Sequence, residues 1–252
     1  MLIILCTFIP KLRRVSLQWI IQFQDYDDWE EKEIDIKTEI PSIKQKSLYS
    51  EVELRTLTEE FIDKEYPINT WTHVYTDGSA EKAIKNGGAG IYIRYQNGQK
   101  ESQSVATGKK STNFRAETCA LLHAAKTLNS SSNLSNNTVI LTDCKSVLES
   151  ILTGGKNDDT LRELQKELTN LKEKTALVLQ WLPAHCGISG NEKADALSKR
   201  GSQLEQIEHK MNYREAKTII KANMKEKWKE KHQIQGCDEI EKLNRNEQVI
   251  IF

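Results

Sequence analysis

The residues predict an α/β protein, a mixed sheet with helices packed against it. Three observations carry the prediction. From Trp71 to Gln203 the elements read β-β-β-α-β-α-α-β-α, and the alternation in the second half is that of a sheet covered by helices. Thr138-Val139-Ile140-Leu141-Thr142 is a nearly continuous apolar run of one strand's length, as expected of a strand buried on both faces. Leu161, Leu164, Leu168 and Leu171 recur at steps of three and four, which is one face of a helix seeking an apolar partner.

Residues 1–70 read as a weakly structured N-terminal extension or linker. They hold an acidic run from Asp25 to Glu39, scattered polar residues, and Pro10, Pro41 and Pro67. Within them Leu48, Val52 and Leu57 can share one face of a short helix that proline stops near Tyr66-Pro67.

Residues 71–203 form the patterned domain. Trp71–Thr76 is a strand. Gly87-Gly88-Ala89-Gly90 leads into a second, Ile91–Tyr95. Asn97-Gly98 is a hairpin turn, and Gln99–Ala106 makes a third, completing an antiparallel meander. Ser111-Thr112-Asn113 caps a helix running to about Leu128, on which Glu117, Leu121, Ala124 and Leu128 lie on one face. A carboxylate on such a buried stripe wants a partner, and a cation is the simplest. The strand 138–142 ends at Asp143, and a helix follows from Lys145 to Leu152. Asn157 or Asp158 caps the leucine-striped helix. Ala176–Trp181 is a strand closed by Pro183, and a last helix spans about Asn191–Gln203. Residues 204–252 form a C-terminal helical tail, in which Asn212 and Glu215 spell a capping box opening a helix to about His232.

Length and composition bound the rest. The 252 residues allow one ordinary domain with appendages, and 38% hydrophobic residues suffice for a core. The formal net charge is zero but uneven: −5 over residues 1–70, +4 over 71–200 and +1 over 201–252. A mildly basic middle that also holds an acidic site suits a polyanionic partner. Five cysteines, odd in number and without a C-x-x-C pair, argue against a disulfide framework or a zinc finger and for a reducing compartment. The apolar stretch Met1–Ile9 is too short to span a membrane. Its basic residues Lys11, Arg13 and Arg14 follow it rather than precede it, unlike a signal peptide.

Four acids fall at corresponding places. Asp77 and Asp143 stand at strand ends, Asp77 just before Gly78. Glu117 and Asp195 stand near helix starts, beside free N–H groups and a positive dipole end. Like charges brought together cannot all ionise cheaply. A hard divalent cation with oxygen ligands resolves this, Mg²⁺ above all, and paired Mg²⁺ ions suit in-line attack on phosphodiesters. Taken singly, each acid reads as a solvated surface charge; together they point to a metal site. His185, in the loop before Asp195, can shuttle a proton or be an ordinary exposed loop histidine. Ser79 and Asn113 can hydrogen-bond a phosphate or sugar, and Asn113 can equally be only the cap of its helix.

Tyr75-Thr76-Asp77-Gly78-Ser79, Thr112-Asn113-Phe114-Arg115-Ala116-Glu117, Leu141-Thr142-Asp143 and the block from Trp181 to Asp195 (WLPAHCGISGNEKAD) resemble the type 1 ribonuclease H family, in its order and at similar spacings. The last block is most like the RNase H domain of non-LTR retrotransposon polyproteins. The resemblance covers about 71–203. It implies an RNase H-like fold whose five-stranded mixed sheet joins an antiparallel meander to parallel strands. It implies endonucleolytic cleavage of the RNA strand of RNA–DNA hybrids, leaving a 3′-hydroxyl and a 5′-phosphate, by two Mg²⁺ ions for which Mn²⁺ can substitute. On this resemblance Asp77, Glu117, Asp143 and Asp195 match the metal-binding carboxylates and His185 the mobile proton-transfer histidine. Asn113 matches a position that touches the hybrid, and the backbone at Gly78-Ser79 lies beside the RNA, whose 2′-hydroxyl distinguishes it from DNA.

The chain departs from the family's pattern in three places. Phe114 replaces a second asparagine, Cys144 stands where serine is common, and only 42 positions separate Asp143 from His185. That leaves no room for the basic helix and loop with which other members grip the hybrid. Expected partners are the RNA–DNA hybrid and a reverse transcriptase encoded by the same element. The expected state is an intracellular monomer, nuclear or cytoplasmic, neither secreted nor membrane-bound. Leu243–Phe252 resembles the segment before a Cys/His-rich terminus in such polyproteins, and no reverse-transcriptase pattern precedes residue 71, as in a fragment or domesticated remnant. The helix opened by Asn212 reads either as a charged helix packed on the domain or as an extra nucleic-acid contact. Its near balance of acids and lysines favours the first. Competing functions are a binding module that holds hybrids without cutting them and another nuclease on the same fold.

Overall fold

The computed structural model describes residues 34–154 and 158–232. Cys6, Cys237, Asn157, most of the acidic run and residues 243–252 lie outside them. The elements in order are β1 (Asp35–Lys37), α1 (Glu51–Glu65), β2 (Thr72–Glu81), β3 (Lys85–Arg94), β4 (Lys100–Gly108), α2 (Asn113–Ser130), β5 (Asn137–Thr142), α3 (Lys145–Leu152), α4 (Asp159–Lys172), β6 (Ala176–Trp181), α5 (Ser189–Ser202) and α6 (Tyr213–His232). The sheet runs β1-β6-β5-β2-β3-β4; the first four are mutually parallel, and β3 and β4 complete an antiparallel meander.

Alternation along the strands divides the core in two. Val74, Ile91, Ile93, Ile140, Leu177 and Leu179 point to one face and pack with α2, α3 and the α4 stripe Leu161, Leu164, Leu168 and Leu171. Tyr75, Tyr92, Val139, Leu141 and Val178 point to the other and pack with α1 and α5. Thus β5 is buried on both faces, as its apolar run predicts.

Residues 34–70 differ from the expected weak structure. Ser50 and Glu53 form a reciprocal capping box, and α1 ends at Glu65, two residues before Pro67. Its buried stripe is Leu54, Thr58 and Ile62, while Leu48 and Val52 of the expected face are exposed. A polar threonine in mid-stripe hides that periodicity. β1 adds a sixth strand to the five expected, pairing Asp35–Lys37 with Val178–Gln180. The buried Gln180 explains the docking. Its Oε1 accepts from the Tyr66 hydroxyl at 2.9 Å, and its Nε2 donates to the Glu39 carbonyl at 3.1 Å, both partners N-terminal to residue 70.

Two strands are longer than expected. β2 continues past Thr76 to Glu81, and β3 begins at Lys85, taking in the glycines before Ile91. Those glycines are needed within the strand. A Cβ on Gly90 would lie 2.0 Å from the Ala194 carbonyl oxygen, and one on Gly88 2.0 Å from the Ser198 carbonyl oxygen, so the close approach of α5 to the sheet depends on both. No helix among the described residues is long and apolar enough to cross a membrane.

Candidate active site

The parallel pairing of β2 with β5 ends at Thr76↔Thr142. Asp77 and Asp143 are the next residues, so the two carboxylates leave adjacent strands at one level. Asp77 is therefore not at a strand end, since β2 runs on beside β3; it stands where β2 loses its parallel partner. Trp181, from the neighbouring strand, donates its indole N–H to the Asp143 carbonyl at 3.2 Å and holds that backbone.

Glu117 arrives from α2, about one turn in from its start. Gly78 sets its approach: a Cβ there would sit 2.1 Å from the Glu117 nitrogen and 2.3 Å from the Ala116 carbonyl carbon. No other residue lets the helix start press so closely on β2. Thr112, not Asn113, is the cap, its hydroxyl accepting from Arg115 N–H at 3.2 Å. Asn113 is exposed and free of capping duty. At the next site helix, Asp158 proves to be the cap of α4.

The result is a cluster in which one carboxylate oxygen each of Asp77, Glu117 and Asp143 lies within 4.8 Å of the others. Burial pushes the Asp77 carboxyl up to about 6, against the lowering effect of the Ser198 hydroxyl, and the neighbouring Asp143 and Asp195 add to the rise. Burial, then Asp77 and Asp143, push Glu117 well above the usual carboxylate range, although the Gly78 N–H opposes the shift. Asp143 is raised by burial, against the lowering effects of an Asn191 hydrogen bond and of the nearby His185. Oε2 of Glu117 is sealed from solvent and has no hydrogen-bond partner. An oxygen-only donor set, costly to ionise together and with one buried oxygen unpartnered, fits a hard divalent cation.

The other predicted residues stand around this cluster. Asp195 is outside the trio and pairs with Lys199 at 2.6 Å, although its charge still reaches Asp77 and Asp143. Helix periodicity explains the pairing, because Lys199 lies one turn beyond Asp195 on the same face. His185 is exposed in a left-handed backbone turn (φ 53°) on the Asp143 side. The Ser79 hydroxyl is sealed from solvent, so that position offers a ligand its backbone rather than its side chain.

Two residues are not visible from the sequence pattern alone. Asn191 is buried and donates to Asp143 Oδ2 at 3.3 Å. Ser198, fully buried on α5, donates to Asp77 Oδ2. Both lie on the helix that carries Asp195, at i−4 and i+3, so the face shared with Asp195 was the signal available for finding them.

Comparisons with known proteins follow the same outline. Residues 69–203 match the family model for RNase H. A ribonuclease H of Alcanivorax borkumensis is 30% identical over 149 residues, which are 54% of this chain and 93% of the relative. A ribonuclease H of Neisseria meningitidis is 29% identical over 151 residues, 97% of its length. Among solved structures, RNase H1 of the archaeon Halobacterium salinarum is similar over 52% of this chain and 96% of its own, with 23% identity and a TM-score of 0.42.

Proposed function

The chain belongs to the RNase H family, and from that premise we propose that it hydrolyses the RNA strand of RNA–DNA hybrids. Water attacks the phosphorus, the P–O3′ bond breaks, and the products carry a 3′-hydroxyl and a 5′-phosphate. The observation that carries this reading is the convergence of Asp77, Glu117 and Asp143 around the unpartnered Oε2 of Glu117.

Asp77, Glu117 and Asp143, with Asp195 at the rim, are the residues that would hold Mg²⁺, as a pair of ions for which Mn²⁺ can substitute. When bound, the cations favour ionisation of the attacking water and offset charge on the departing oxygen. The protein's own groups do the rest. Ser198 and Asn191 orient Asp77 and Asp143. His185, on its exposed loop, takes the proton of the attacking water or delivers one to the leaving 3′-oxygen. The Gly78-Ser79 backbone and the exposed Asn113 side chain face the substrate, where the 2′-hydroxyl marks the RNA strand.

Residues 71–203 form the catalytic unit in this reading. The wording from Trp181 to Asp195 and the short Asp143–His185 interval support derivation from a non-LTR retroelement, with an element-encoded reverse transcriptase as partner.

The test is cleavage of a labelled hybrid with Mg²⁺ by wild type and Asp143→Asn. RNA-strand cuts that vanish in the variant support the enzyme. A folded wild type that binds hybrid without cutting it turns the reading to a non-catalytic binding module.

A further inference from the structure

The structure shows where two of the acids of α6 go. Between Tyr213 and Trp228 the acids are Glu215 and Glu226. Glu215 is buried and paired with Arg115 at 3.4 Å, and it also closes the capping box with Asn212. Glu226 meets Lys82 at 2.8 Å, with Lys85 close enough to act on it. Glu215 is thus turned inward, while Glu226 stays at the surface, paired with Lys82. Arg214, Lys217, Lys221 and Lys227 remain exposed on the outward side. The exposed side chains of residues 213–228 therefore carry more cations than carboxylates, alongside the exposed Tyr213, Ile220 and Met224.

The anchors also locate this surface. Arg115 lies two residues before Glu117, and Lys82 lies five beyond Asp77. Asn212 adds a bond to Asp158, the cap of α4, at 2.8 Å. The helix α6 is thus fastened near its start to α2 and the cap of α4, and farther along to the turn after β2.

We infer that the outward face of α6 is a second contact for the RNA–DNA hybrid, binding its phosphate backbone through Arg214, Lys217, Lys221 and Lys227. This rests on the hybrid-cleaving reading for the identity of the polyanion. The contact is electrostatic and independent of sequence, and each phosphate neutralised releases counterions. It strengthens capture of substrate without taking part in bond breaking.

The experiment measures fluorescence anisotropy of a labelled hybrid across a salt series, with the full chain carrying Asp143→Asn in every arm to prevent turnover. One arm adds Lys217→Gln, Lys221→Gln and Lys227→Gln, which preserve helix propensity. A control arm adds Lys64→Gln and Lys100→Gln, exposed lysines near the end of α1 and at the start of β4. The expected result is a salt slope reduced by about 2 to 3 in the α6 arm, at roughly 0.9 or less for each phosphate that is no longer neutralised, with at least about tenfold weaker binding at low salt. The control slope stays within error of the parent. An unchanged slope in the α6 arm, an equal fall per lysine in the control, or no hybrid binding by the parent overturns the inference. A separate cleavage assay of the wild type distinguishes the two readings. Cutting with an unchanged α6 slope sinks this inference alone; a reduced slope without cutting sinks only the cleavage reading.

Discussion

The Ser198 hydroxyl of α5 donates to Asp77 of β2, and it also lies 2.9 Å from the Asp195 carbonyl oxygen. It has one proton and two acceptors. The bond to Asp77 favours the ionised carboxylate, the form a cation needs, while the bond to the helix carbonyl is an alternative resting place. Ser198→Ala removes the first without adding bulk. A hydrogen bond to a charged group contributes about 1.5–3 kcal/mol, so Mg²⁺ affinity is expected to fall about tenfold or more. Calorimetric Mg²⁺ titration checks it, and equal affinity in both proteins would remove Ser198 from the site.

Asp77 makes the metal-free protein sensitive to pH. Its folded-state value of about 6 stands above the ordinary 3.8. Between these values the folded state holds a proton that the unfolded state has lost, so this contribution to stability falls as pH rises through the window. Above pH 6 the full cost, at most about 3 kcal/mol, is in place. Asp77→Asn is expected to raise the Tm of metal-free protein at pH 7 by several degrees and to leave it unchanged near pH 3. Thermal melts in EDTA at the two pH values decide; a lower Tm at pH 7 contradicts the assignment.

Added Mg²⁺ reverses part of that cost. A cation bound only by the folded state stabilises it by about 2.7 kcal/mol at a hundred times its Kd. Wild type should therefore gain Tm with Mg²⁺ at pH 7, and Asp77→Asn should gain little. Equal gains would place the cation elsewhere.

Gly78→Ala tests the seating of α2 on β2. The added methyl carbon meets main-chain atoms of Ala116 and Glu117, which have no flexible end to move aside. Overpacking of this kind costs about 1–3 kcal/mol. Because the displaced residue is Glu117, hybrid cleavage should fall by far more than the loss of Tm explains. Folded protein with near-normal turnover would show that Glu117 tolerates the shift.

Glu215→Ala leaves the mostly buried Arg115 guanidinium without its carboxylate and opens the α6 capping box. Breaking such a pair costs about 3–5 kcal/mol when burial is complete. The loss should be local: faster amide hydrogen exchange throughout α6 and little change in β5. Exchange unchanged in α6 would mean that other contacts hold the helix.

Much of this was legible in the sequence. The leucines of α4, the Asn212–Glu215 capping box and the uninterrupted β5 run each follow a local period or spacing, and local rules survive folding. Asp143 was legible because it closes a strand, Glu117 because it lies on the apolar stripe about one turn into its helix, and Asp77 because it precedes the glycine that admits that helix. Other features were settled only by partners distant along the chain. The strand Asp35-Ile36-Lys37 is too short and polar to show a period, and it exists because the edge of β6 and Gln180 wait for it. Asp195 was expected among the other carboxylates but turns to Lys199, a pairing invisible until the helix phase is known. Ser198 reads as an ordinary helix serine until Gly90 allows α5 to reach the sheet.

β1 also bears on how small the protein can be made. A chain cut at residue 70 would keep every carboxylate and nearly the whole segment matched to the family, yet β6 would lose its outer neighbour. Its free N–H and C=O groups, with Val178 newly uncovered and Gln180 stripped of two partners, would form a flat adhesive border of the kind that pairs with copies of itself. Such a trimmed enzyme would be limited by self-association before it was limited by chemistry.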